Sequence, residues 1–328
     1  MRYRPLGETG LSVSEISFGA GPVSGLMTNG SFQDRLAVFS RALELGINWF
    51  DTAAGYGAGK SETHLGEALS LLAPPRPIHI ATKVRLMLQH EADLRPLVVA
   101  SFRESLVRLR VPHVTLLQLH NSITPCRNDE PTSITPEDVL GPHGVLAAFE
   151  DLRAEGLIDH FGLTGIGHPD SLRQVMRSHR FATIQAPFHL LNPTALVETP
   201  NCFREPDYSG FLRDAQELGL GLLAIRVYAA GALLGAQPSA HTLKTPFFPL
   251  SLYERDLSRA TRLSVALGSE TKLREQALRY VLSQTAFSSA ILGLGAPEHI
   301  DEALRISDLG PLSQEESERL AELIREII

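Results

Sequence analysis

The chain has 328 residues, of which 43% are hydrophobic and 20% charged, with a formal net charge of −7 and a pI near 6.0. These values are typical of a soluble protein with a large core, and they give no basic footprint for nucleic acid or acidic membranes. We find no signal-peptide run, and no apolar run approaches the roughly 20 residues that span a bilayer. Cys126 and Cys202 both fall in expected loops, so we expect a reducing, cytoplasmic location without disulfides.

Short apolar runs alternate with amphipathic segments along the chain, which is typical of strand–helix units with a parallel sheet. The apolar runs predict eight strands, which begin at Glu15, Ile47, Ile78, Val114, Phe161, Thr183, Gly221 and Ser289. Helical periodicity predicts a helix after each strand, at about residues 33–45, 62–72, 94–109, 145–154, 171–178, 208–218, 272–283 and 297–307. A ninth helix is predicted at 314–328, because Ser313 followed by Glu316 matches a capping box.

The order of these elements indicates the fold class. One strand and one helix alternating eight times favour a closed (β/α)8 TIM barrel over an open doubly wound sheet, and we expect residues 1–328 to form one such domain. The segment PLGETGLSVS predicts an N-terminal β-hairpin across one end of the barrel, since its Thr-Gly pair can form the turn. Long loops at about 121–140 and 229–258 would rise at the catalytic face and shape a substrate pocket.

Four chemically reactive residues stand where predicted strands give way to loops, namely Asp51, Tyr56, Lys83 and His120. Taken singly, each has an ordinary structural explanation, as a helix cap, a turn tyrosine, a barrel-end lysine or a core histidine. Three of them, however, close successive parallel strands, whose neighbouring ends lie about 4.8 Å apart. A buried lysine and a buried aspartate also need a partner. The set together therefore predicts an acid–base site for carbonyl chemistry.

Longer stretches of the sequence carry a family resemblance. They include RPLGETGLSVSEISFG, GINWFDTAAGYGAGKSETHLGEAL, ATKV, LLQLHN, LRAEGLIDHFGLTG, IQAPFHLLNP and PEHIDEAL. With these motifs the chain resembles the aldo-keto reductase superfamily almost from end to end, and FDTAAGYG…SE…LGEAL is highly specific to that family. By this resemblance the catalytic tetrad is Asp51, Tyr56, Lys83 and His120.

The resemblance implies a role for each residue of the tetrad. Tyr56 would donate a proton to the carbonyl oxygen as hydride reaches the carbon, and would accept it in the reverse oxidation. A phenol transfers protons sluggishly at neutral pH, so the ammonium of Lys83 would assist it while Asp51 holds that ammonium in place. His120 would hydrogen-bond the substrate oxygen. The hydride would come from NAD(H) or NADP(H), because no protein side chain can deliver one.

The resemblance also implies a set of cofactor contacts. The matching positions are Gly19, Ala20, Asp51, Thr164, Gly165, Gln185, Ile225, Arg226, Val227, Tyr228, Gly293, Gly295, His299 and Glu302. Gly165 stands where many relatives have an asparagine that binds the carboxamide, and Ile225 where many have an aromatic residue that stacks on the nicotinamide. Arg226, at a usually small and polar position, would contact the pyrophosphate or form a structural salt bridge.

The resemblance implies that the last strand–helix junction determines whether NAD(H) or NADP(H) binds. Relatives bind the 2′-phosphate of NADP there with Lys or Arg, whereas this chain has Gly293 and His299, and Ala303 where Asn is common. Charge-assisted hydrogen bonds to a phosphate are strong. The sequence therefore argues against strict NADP preference and for use of NAD(H) or of both cofactors.

The sequence favours an enzyme that transfers hydride between a nicotinamide dinucleotide and an aldehyde, ketone or aldose. Two alternatives stay open: a catalytically weak, cofactor-sensing regulatory subunit on the same fold, and a Schiff-base lyase with Lys83 as nucleophile. The expected partners are small-molecule substrates, with no nucleic acid and no membrane, and the oligomeric state is left open. The His and Cys residues lack metal-ligand spacing. Candidate walls of the substrate pocket include Gly21, Pro22 and Asn121.

Overall fold

The central feature of the protein is a closed barrel of parallel strands. A computed structural model describes residues 1–72, 74–89, 91–198 and 206–327. The strands are β1 (Tyr3–Pro5), β2 (Ser12–Ser14), β3 (Ile16–Gly19), β4 (Trp49–Asp51), β5 (His79–Val84), β6 (Val114–Leu119), β7 (Ile158–Thr164), β8 (Thr183–Pro187), β9 (Gly221–Ile225) and β10 (Phe287–Gly293). Strands β3 to β10 close the barrel in chain order, with β10 paired to both β3 and β9. The predicted (β/α)8 barrel is therefore confirmed.

Helices accompany the barrel strands, and most follow a strand as predicted. They are α1 (Leu26–Asn29), α2 (Phe32–Glu44), α3 (Lys60–Leu71), α4 (Arg95–Leu109), α5 (Pro136–Leu140), α6 (Val145–Ala154), α7 (Pro169–Met176), α8 (Phe211–Glu217), α9 (Leu250–Leu267), α10 (Glu270–Leu282), α11 (Pro297–Asp308) and α12 (Gln314–Ile327). A 3-10 helix covers Ala229–Leu234. The predicted capping box of α12 is present, because Ser313 N donates to Glu316 Oε2 (2.8 Å) and Glu316 N donates to Ser313 Oγ (3.1 Å).

The barrel strands are buried on both faces, which explains their nearly continuous apolar sequences. All six residues of β6, VTLLQL, are buried, as are all four residues of β3. Asp51, Lys83 and Gln118 interrupt this apolar lining near the C-terminal ends of β4, β5 and β6. Since parallel strands present these ends at one face, the three polar side chains are brought to the same mouth of the barrel.

The N-terminal hairpin, in which β1 and β2 pair antiparallel, closes the opposite end of the barrel. Glu8 N donates a hydrogen bond to Gly219 O at 3.0 Å, just ahead of β9. Gly10 adopts a φ of 78° in the connecting loop, where Thr9 Oγ1 donates to Leu6 O at 2.6 Å. The side chain of Leu6 is buried in a cluster with Val13, Trp49, Ala81, Leu116, Leu223 and Ile291. The predicted capping hairpin is confirmed, but its hydrogen-bonded turn lies at Gly7 and Glu8, where Thr9 N donates to Leu6 O at 3.1 Å, rather than at the predicted Thr-Gly pair.

Two connections that were predicted as long loops contain helices. The segment 229–258 includes the 3-10 helix and the first half of α9, and the segment 121–140 ends in α5. Helix α9 buries Tyr253, Ala260 and Leu263 at helical spacing. The sequence prediction missed it because α9 runs directly into α10 and so breaks the strand–helix alternation. Helix α5 has five residues, too few for a periodic signal.

Features that bear on cellular location are few. Within the described ranges, no helix combines the length and apolar character required to cross a bilayer. Cys126 is an exposed free thiol in the connection between β6 and α5. Cys202, the second cysteine predicted to lie in a loop, is outside the described residues.

Candidate active site

Asp51 and Lys83 form a buried ion pair inside the mouth of the barrel. They lie near the C-terminal ends of the neighbouring strands β4 and β5. Lys83 Nζ is 2.5 Å from Asp51 Oδ1 and donates a second hydrogen bond to Thr52 O at 2.9 Å. Burial alone would lower the pKa of Lys83, but the charge of Asp51 and the phenol of Tyr56 outweigh burial, so this pKa is raised. The ammonium therefore stays charged at neutral pH.

Tyr56 extends from the loop between β4 and α3 towards this ammonium. Its Oη accepts a hydrogen bond from Lys83 Nζ at 3.4 Å, and Nζ lies 4.9 Å from the centroid of the ring. Backbone hydrogen bonds fix the loop, from Tyr56 N to Ala53 O (3.1 Å) and from Ser61 N to Tyr56 O (3.3 Å). Because the residue is only half-buried, the phenol can contact both the ammonium and a molecule in the mouth.

The imidazole of His120 completes the group. It follows β6 directly, and its ring meets the Tyr56 ring edge-on with centroids 5.5 Å apart. Although His120 keeps some accessible surface, its Nδ1 is buried and has no hydrogen-bond partner among the described residues. Burial, with the positive charges of Arg85 and Lys83, holds the pKa of His120 well below its usual value. The ring is therefore neutral and can donate one N–H, and the structure brings all four predicted residues together.

Two polar residues beside these four were not predicted. Gln118 in β6 donates from Nε2 to Asp51 Oδ2 at 3.3 Å and so holds the second carboxylate oxygen. Arg85 donates from Nη2 to His120 O at 3.1 Å, and its Cζ lies 4.2 Å from the centroid of the Phe247 ring. The signals available in the sequence were a lone glutamine within VTLLQL and an arginine directly after IHIATKV.

The structure shows what the first glutamate of the SE…LGEAL motif, Glu62, does. Its fully buried carboxylate accepts hydrogen bonds from Thr82 Oγ1 (2.5 Å) and Arg108 Nε (2.7 Å). The preceding Ser61 donates from Oγ to Ala20 O at 2.8 Å. These bonds tie the start of α3 to β5, to α4 and to the end of β3. They therefore fix the loop that carries the phenol.

Two buried polar groups lie at the ends of β7 and β8. Thr164 Oγ1 and Gln185 Nε2 have no hydrogen-bond partner among the described residues, although each residue is only 2% exposed. They occupy paired positions on neighbouring strands. Such atoms are costly unless a ligand satisfies them, and a hydroxyl beside an amide matches the donor and acceptor of a carboxamide. Gly165 follows, and Phe211 Cζ lies 2.7 Å from where its Cβ would be, so an asparagine there would clash.

Gly19 and Ala20 bring the end of β3 close to its neighbours. A Cβ on Gly19 would lie 2.9 Å from Leu292 O in β10. Ala20 N donates to Asp51 O at 2.8 Å, which places these predicted cofactor contacts beside the acidic residue of the site. Both residues are buried, and they shape the mouth by close backbone packing.

The segment after β9 carries a cation that forms no ion pair with any described residue. Arg226 has a left-handed φ of 57°, and its Cζ lies 3.9 Å from the centroid of the Phe248 ring. In the part of the chain that the structure describes, no residue pairs with or hydrogen-bonds this guanidinium, so the structural salt bridge is not observed. Burial lowers the pKa of Arg226. Ile225, Val227 and Tyr228 flank it, and burial raises the pKa of Tyr228.

The one basic side chain that residues 293–303 contribute to the junction between β10 and α11 is that of His299. Residues 293–303 contain neither Lys nor Arg, and Gly295 N donates to His299 Nδ1 at 3.2 Å. Gly293 is exposed at the end of β10. Ser24, which was not predicted, reaches this junction, because a Cβ on Gly293 would lie 3.4 Å from Ser24 Cβ. The Oγ of Ser24 is buried and lacks a partner among the described residues, so it too could bind a ligand.

Glu302, farther along α11, is already engaged by a basic residue of a neighbouring helix. Its two carboxylate oxygens accept hydrogen bonds from Arg274 Nη1 at 2.8 and 3.0 Å. The charges of this pair also reach the phenol of Tyr228. Arg274 is thus compensated by Glu302.

Two residues predicted as pocket walls have different environments. Gly21 faces the candidate catalytic phenol, since a Cβ there would lie 3.7 Å from Tyr56 Cε2. Asn121 is buried, and its amide brackets the backbone of Leu86 and Thr132 through hydrogen bonds of 2.6 to 2.8 Å. Asn121 therefore holds loops together, which explains its polar side chain without a ligand.

Comparison with known proteins identifies the family. The model of the Aldo/keto reductase family matches residues 15–325. The uncharacterized oxidoreductase YqkF of Bacillus subtilis is 25% identical over 330 aligned positions, which cover 98% of this chain and 95% of that protein. L-galactose dehydrogenase of Arabidopsis thaliana is 27% identical over 309 positions, covering 92% and 86%. The solved structure of glycerol dehydrogenase AKR11B4 from Gluconobacter oxydans has a similar fold, with a TM-score of 0.71, 22% identity and coverage of 99% and 96%. The chain belongs to the aldo/keto reductase family.

Proposed function

We propose that this protein is a nicotinamide-dependent oxidoreductase that interconverts a carbonyl compound and the corresponding alcohol. The observation that carries the proposal is the Tyr56 phenol, 3.4 Å from an ammonium that a buried carboxylate holds at 2.5 Å. A proton donor beside a fixed positive charge is suited to stabilising the oxygen of a reacting carbonyl. The dehydrogenase named among the relatives supports the same class of reaction.

Each residue at the mouth has a task in this reaction. In the direction of reduction, Tyr56 donates its proton to the carbonyl oxygen, and in oxidation it takes the proton back. Lys83 stabilises the negative charge that develops on the tyrosine oxygen. Asp51 holds the ammonium of Lys83 in place, and Gln118 in turn holds the carboxylate of Asp51. Neutral His120 donates a hydrogen bond to the same substrate oxygen and orients it.

The buried polar atoms that have no partner among the described residues fit a nicotinamide dinucleotide. Thr164 Oγ1 and Gln185 Nε2 would hold the carboxamide, and the guanidinium of Arg226 would face the pyrophosphate. Bound in its reduced form, the cofactor supplies the hydride. Ile225 would contact a flat ring by packing alone, because an aliphatic side chain cannot stack.

We further propose that the enzyme uses NAD(H), or both nucleotides, rather than NADP(H) alone. The 2′-phosphate of NADP is usually bound by cations. Residues 293–303 offer none, and Arg274 is already paired with Glu302. His299 is engaged by a backbone N–H of the same junction.

The absorbance of reduced nicotinamide tests the reaction directly. The full chain is assayed with NADH or NADPH on small aldehydes and ketones, and with NAD⁺ or NADP⁺ on alcohols and aldoses. We expect turnover in at least one combination, with kcat/KM for NAD(H) equal to or above that for NADP(H). A preference for NADPH by orders of magnitude would contradict the cofactor assignment. Nucleotide binding without any turnover would favour the regulatory subunit instead.

The Schiff-base lyase alternative requires a neutral lysine amine. Burial favours such an amine, but the charge of Asp51 prevails and raises the pKa of Lys83. A charged ammonium is a poor nucleophile. We therefore expect no trapping of Lys83 by borohydride in the presence of carbonyl substrates.

A further inference from the structure

Arg85 is a charged group at the barrel mouth that the proposed hydride transfer does not use. Its guanidinium donates to a backbone oxygen, His120 O, from Nη2 at 3.1 Å and from Nε at 3.4 Å. No carboxylate of the described chain pairs with it. Burial lowers the pKa of Arg85, yet an arginine keeps its charge at neutral pH. A charge withdrawn from water without a counter-ion is costly, which points to a ligand that supplies one.

The groups that face Arg85 do not neutralise it. Tyr56, His120 and His241 all interact with it electrostatically, and none of them is a carboxylate. Lys83 is already paired with Asp51, so among the described residues the charges at the mouth without an ion pair are those of Arg85 and Arg226. The mouth is thus locally positive in a chain whose net charge is −7. Such a local potential attracts anions from solution.

Two consecutive phenylalanines, Phe247 and Phe248, cover the guanidinium groups of Arg85 and Arg226, and we call these two rings the aromatic clamp. The ring centroid of Phe247 lies 4.2 Å from Arg85 Cζ, and that of Phe248 lies 3.9 Å from Arg226 Cζ. Each ring shields one face of a guanidinium from water. In Arg85 the bonds to His120 O use Nε and one N–H of Nη2, and Nη1 with the second N–H of Nη2 can form the paired hydrogen bonds that oxyanions accept.

The two arginines follow opposite strands of the barrel. Arg85 follows β5 and Arg226 follows β9, which are four strands apart in a closed barrel of eight. Arg226 is on the side of the unpartnered Thr164 and Gln185, whereas Arg85 adjoins the residues that would bind the reacting carbonyl. If Arg226 binds the pyrophosphate of the dinucleotide, Arg85 is therefore left to bind another anion.

We propose that Arg85 binds an anionic substituent of the substrate, a carboxylate or a phosphate. This inference rests on the proposed function, since it concerns the substrate of the same site. The substrate class is then an oxo acid, a sugar acid or a phosphorylated carbonyl compound rather than a neutral aldehyde or aldose. The anionic group is unchanged by the reaction: hydride adds to the carbonyl carbon, the proton of Tyr56 goes to the oxygen, and the nucleotide is oxidised.

Matched pairs of substrates separate the effect of charge from that of size. Succinic semialdehyde and butanal differ by a carboxylate, and glyceraldehyde 3-phosphate and glyceraldehyde differ by a phosphate. The measured quantity is the ratio of kcat/KM for the anionic member to that for the neutral member. In the wild type we expect this ratio to exceed about 10 for one pair, as a charge-assisted hydrogen bond predicts. The pair that shows it identifies the anion.

Substitutions at Arg85 distinguish substrate binding from a purely structural role. Arg85→Gln keeps a donor for the His120 carbonyl but removes the charge, and we expect it to lower the ratio about 10- to 100-fold through KM of the anionic substrate. Arg85→Lys keeps the charge without the planar fork and should give an intermediate ratio. Arg319→Gln removes the same charge from an exposed position on α12 and should keep the wild-type ratio.

The outcomes test the anion site at Arg85 independently of the proposed carbonyl reduction. A ratio near one in the wild type, or an unchanged ratio in Arg85→Gln, overturns it while carbonyl reduction stands. A raised KM for the nucleotide in Arg85→Gln, without a change in the ratio, assigns the guanidinium to the cofactor and also overturns it. If no substrate is turned over, calorimetric titrations with succinate and with glycerol 3-phosphate decide. Weaker binding of either anion to Arg85→Gln than to the wild type supports the anion site, and equal binding of both refutes it.

Discussion

Lys83 has no accessible side-chain surface and depends on Asp51 for its counter-charge. Asp51→Asn leaves the ammonium buried and unpaired, and removing one partner of such a pair costs about 3–5 kcal/mol. We expect the free energy of unfolding in urea to fall by this order. Asp301→Asn, which breaks the exposed pair with Arg41, is the matched control and should leave the unfolding midpoint nearly unchanged. Equal losses in the two variants would contradict the importance of the buried pair.

Acid should destabilise the protein through His189. Burial and the charges of Arg226 and Arg255 lower the pKa of His189 to about 3. In the unfolded chain the pKa of a histidine is about 6.5. Between these values the unfolded state binds the additional proton. The stability that the neutral imidazole contributes is therefore complete above about pH 6.5 and is lost as pH falls towards 3.

The variant His189→Gln tests this linkage. It should make the acid-side decrease in unfolding free energy shallower by up to about 1.4 kcal/mol per pH unit. Urea titrations at several pH values measure the slope, and His143→Gln, at an exposed position, controls for the substitution itself. An identical slope in the wild type and in His189→Gln would show that this imidazole does not titrate as described.

Single residues were predictable from the sequence where their chemistry conflicts with their surroundings. Asp51, Lys83 and His120 each end an apolar run, so their polarity is conspicuous in the sequence alone. Arg85 and Ser24 are ordinary loop residues in the sequence. Their importance depends on which strands meet at the mouth, and only the folded chain shows that no described residue supplies a counter-ion to Arg85 or a hydrogen bond to Ser24 Oγ.

Helices α3 and α4 approach each other closely at a glycine. A Cβ on Gly66 would lie 2.5 Å from Arg108 O and 2.6 Å from Leu109 O. Alanine normally stabilises a helix interior relative to glycine by about 1 kcal/mol. At this position the clash should reverse the sign, and Gly66→Ala should destabilise the protein by about 1–3 kcal/mol.

Thermal unfolding measures this reversal. Ser70→Ala, on the exposed face of the same helix, is the matched control and should leave Tm within a small range of the wild type. A higher Tm for Gly66→Ala than for the wild type would mean that the two helices are not packed as described.

Secondary-structure elements were predictable where the strand–helix alternation holds. The eight strands and the nine predicted helices have observed counterparts, because buried parallel strands give short apolar runs and covering helices give helical periodicity. Helix α9 was missed because two helices follow one another there. The apolar positions that form its buried face are visible in the sequence. They were not assigned to a helix because the expected alternation places a strand, and not a second helix, next to each helix.

In the molecule as a whole, the residues that stabilise the fold by packing under the hairpin and the candidate catalytic residues lie at opposite ends of the barrel. Leu6 is 1% exposed and packs under the end of the barrel that the hairpin closes, whereas the candidate catalytic residues occupy the other end. Leu6→Ala should cost about 2–5 kcal/mol of stability through the cavity it leaves. We expect Tm to fall while kcat at 25 °C is preserved. Leu71→Ala, at a position that is 60% exposed, is the control, and a proportionate loss of kcat in Leu6→Ala would argue against this separation.

The central claim is that Tyr56 transfers the proton while hydride moves, and single-turnover kinetics of Tyr56→Phe test it most directly. The variant should bind the nucleotide as the wild type does, measured by fluorescence, and its rate of hydride transfer should fall about 10²- to 10⁴-fold. Tyr3→Phe removes a phenolic hydroxyl far from the mouth and should keep the wild-type rate. Hydride transfer at the wild-type rate in Tyr56→Phe would contradict the account.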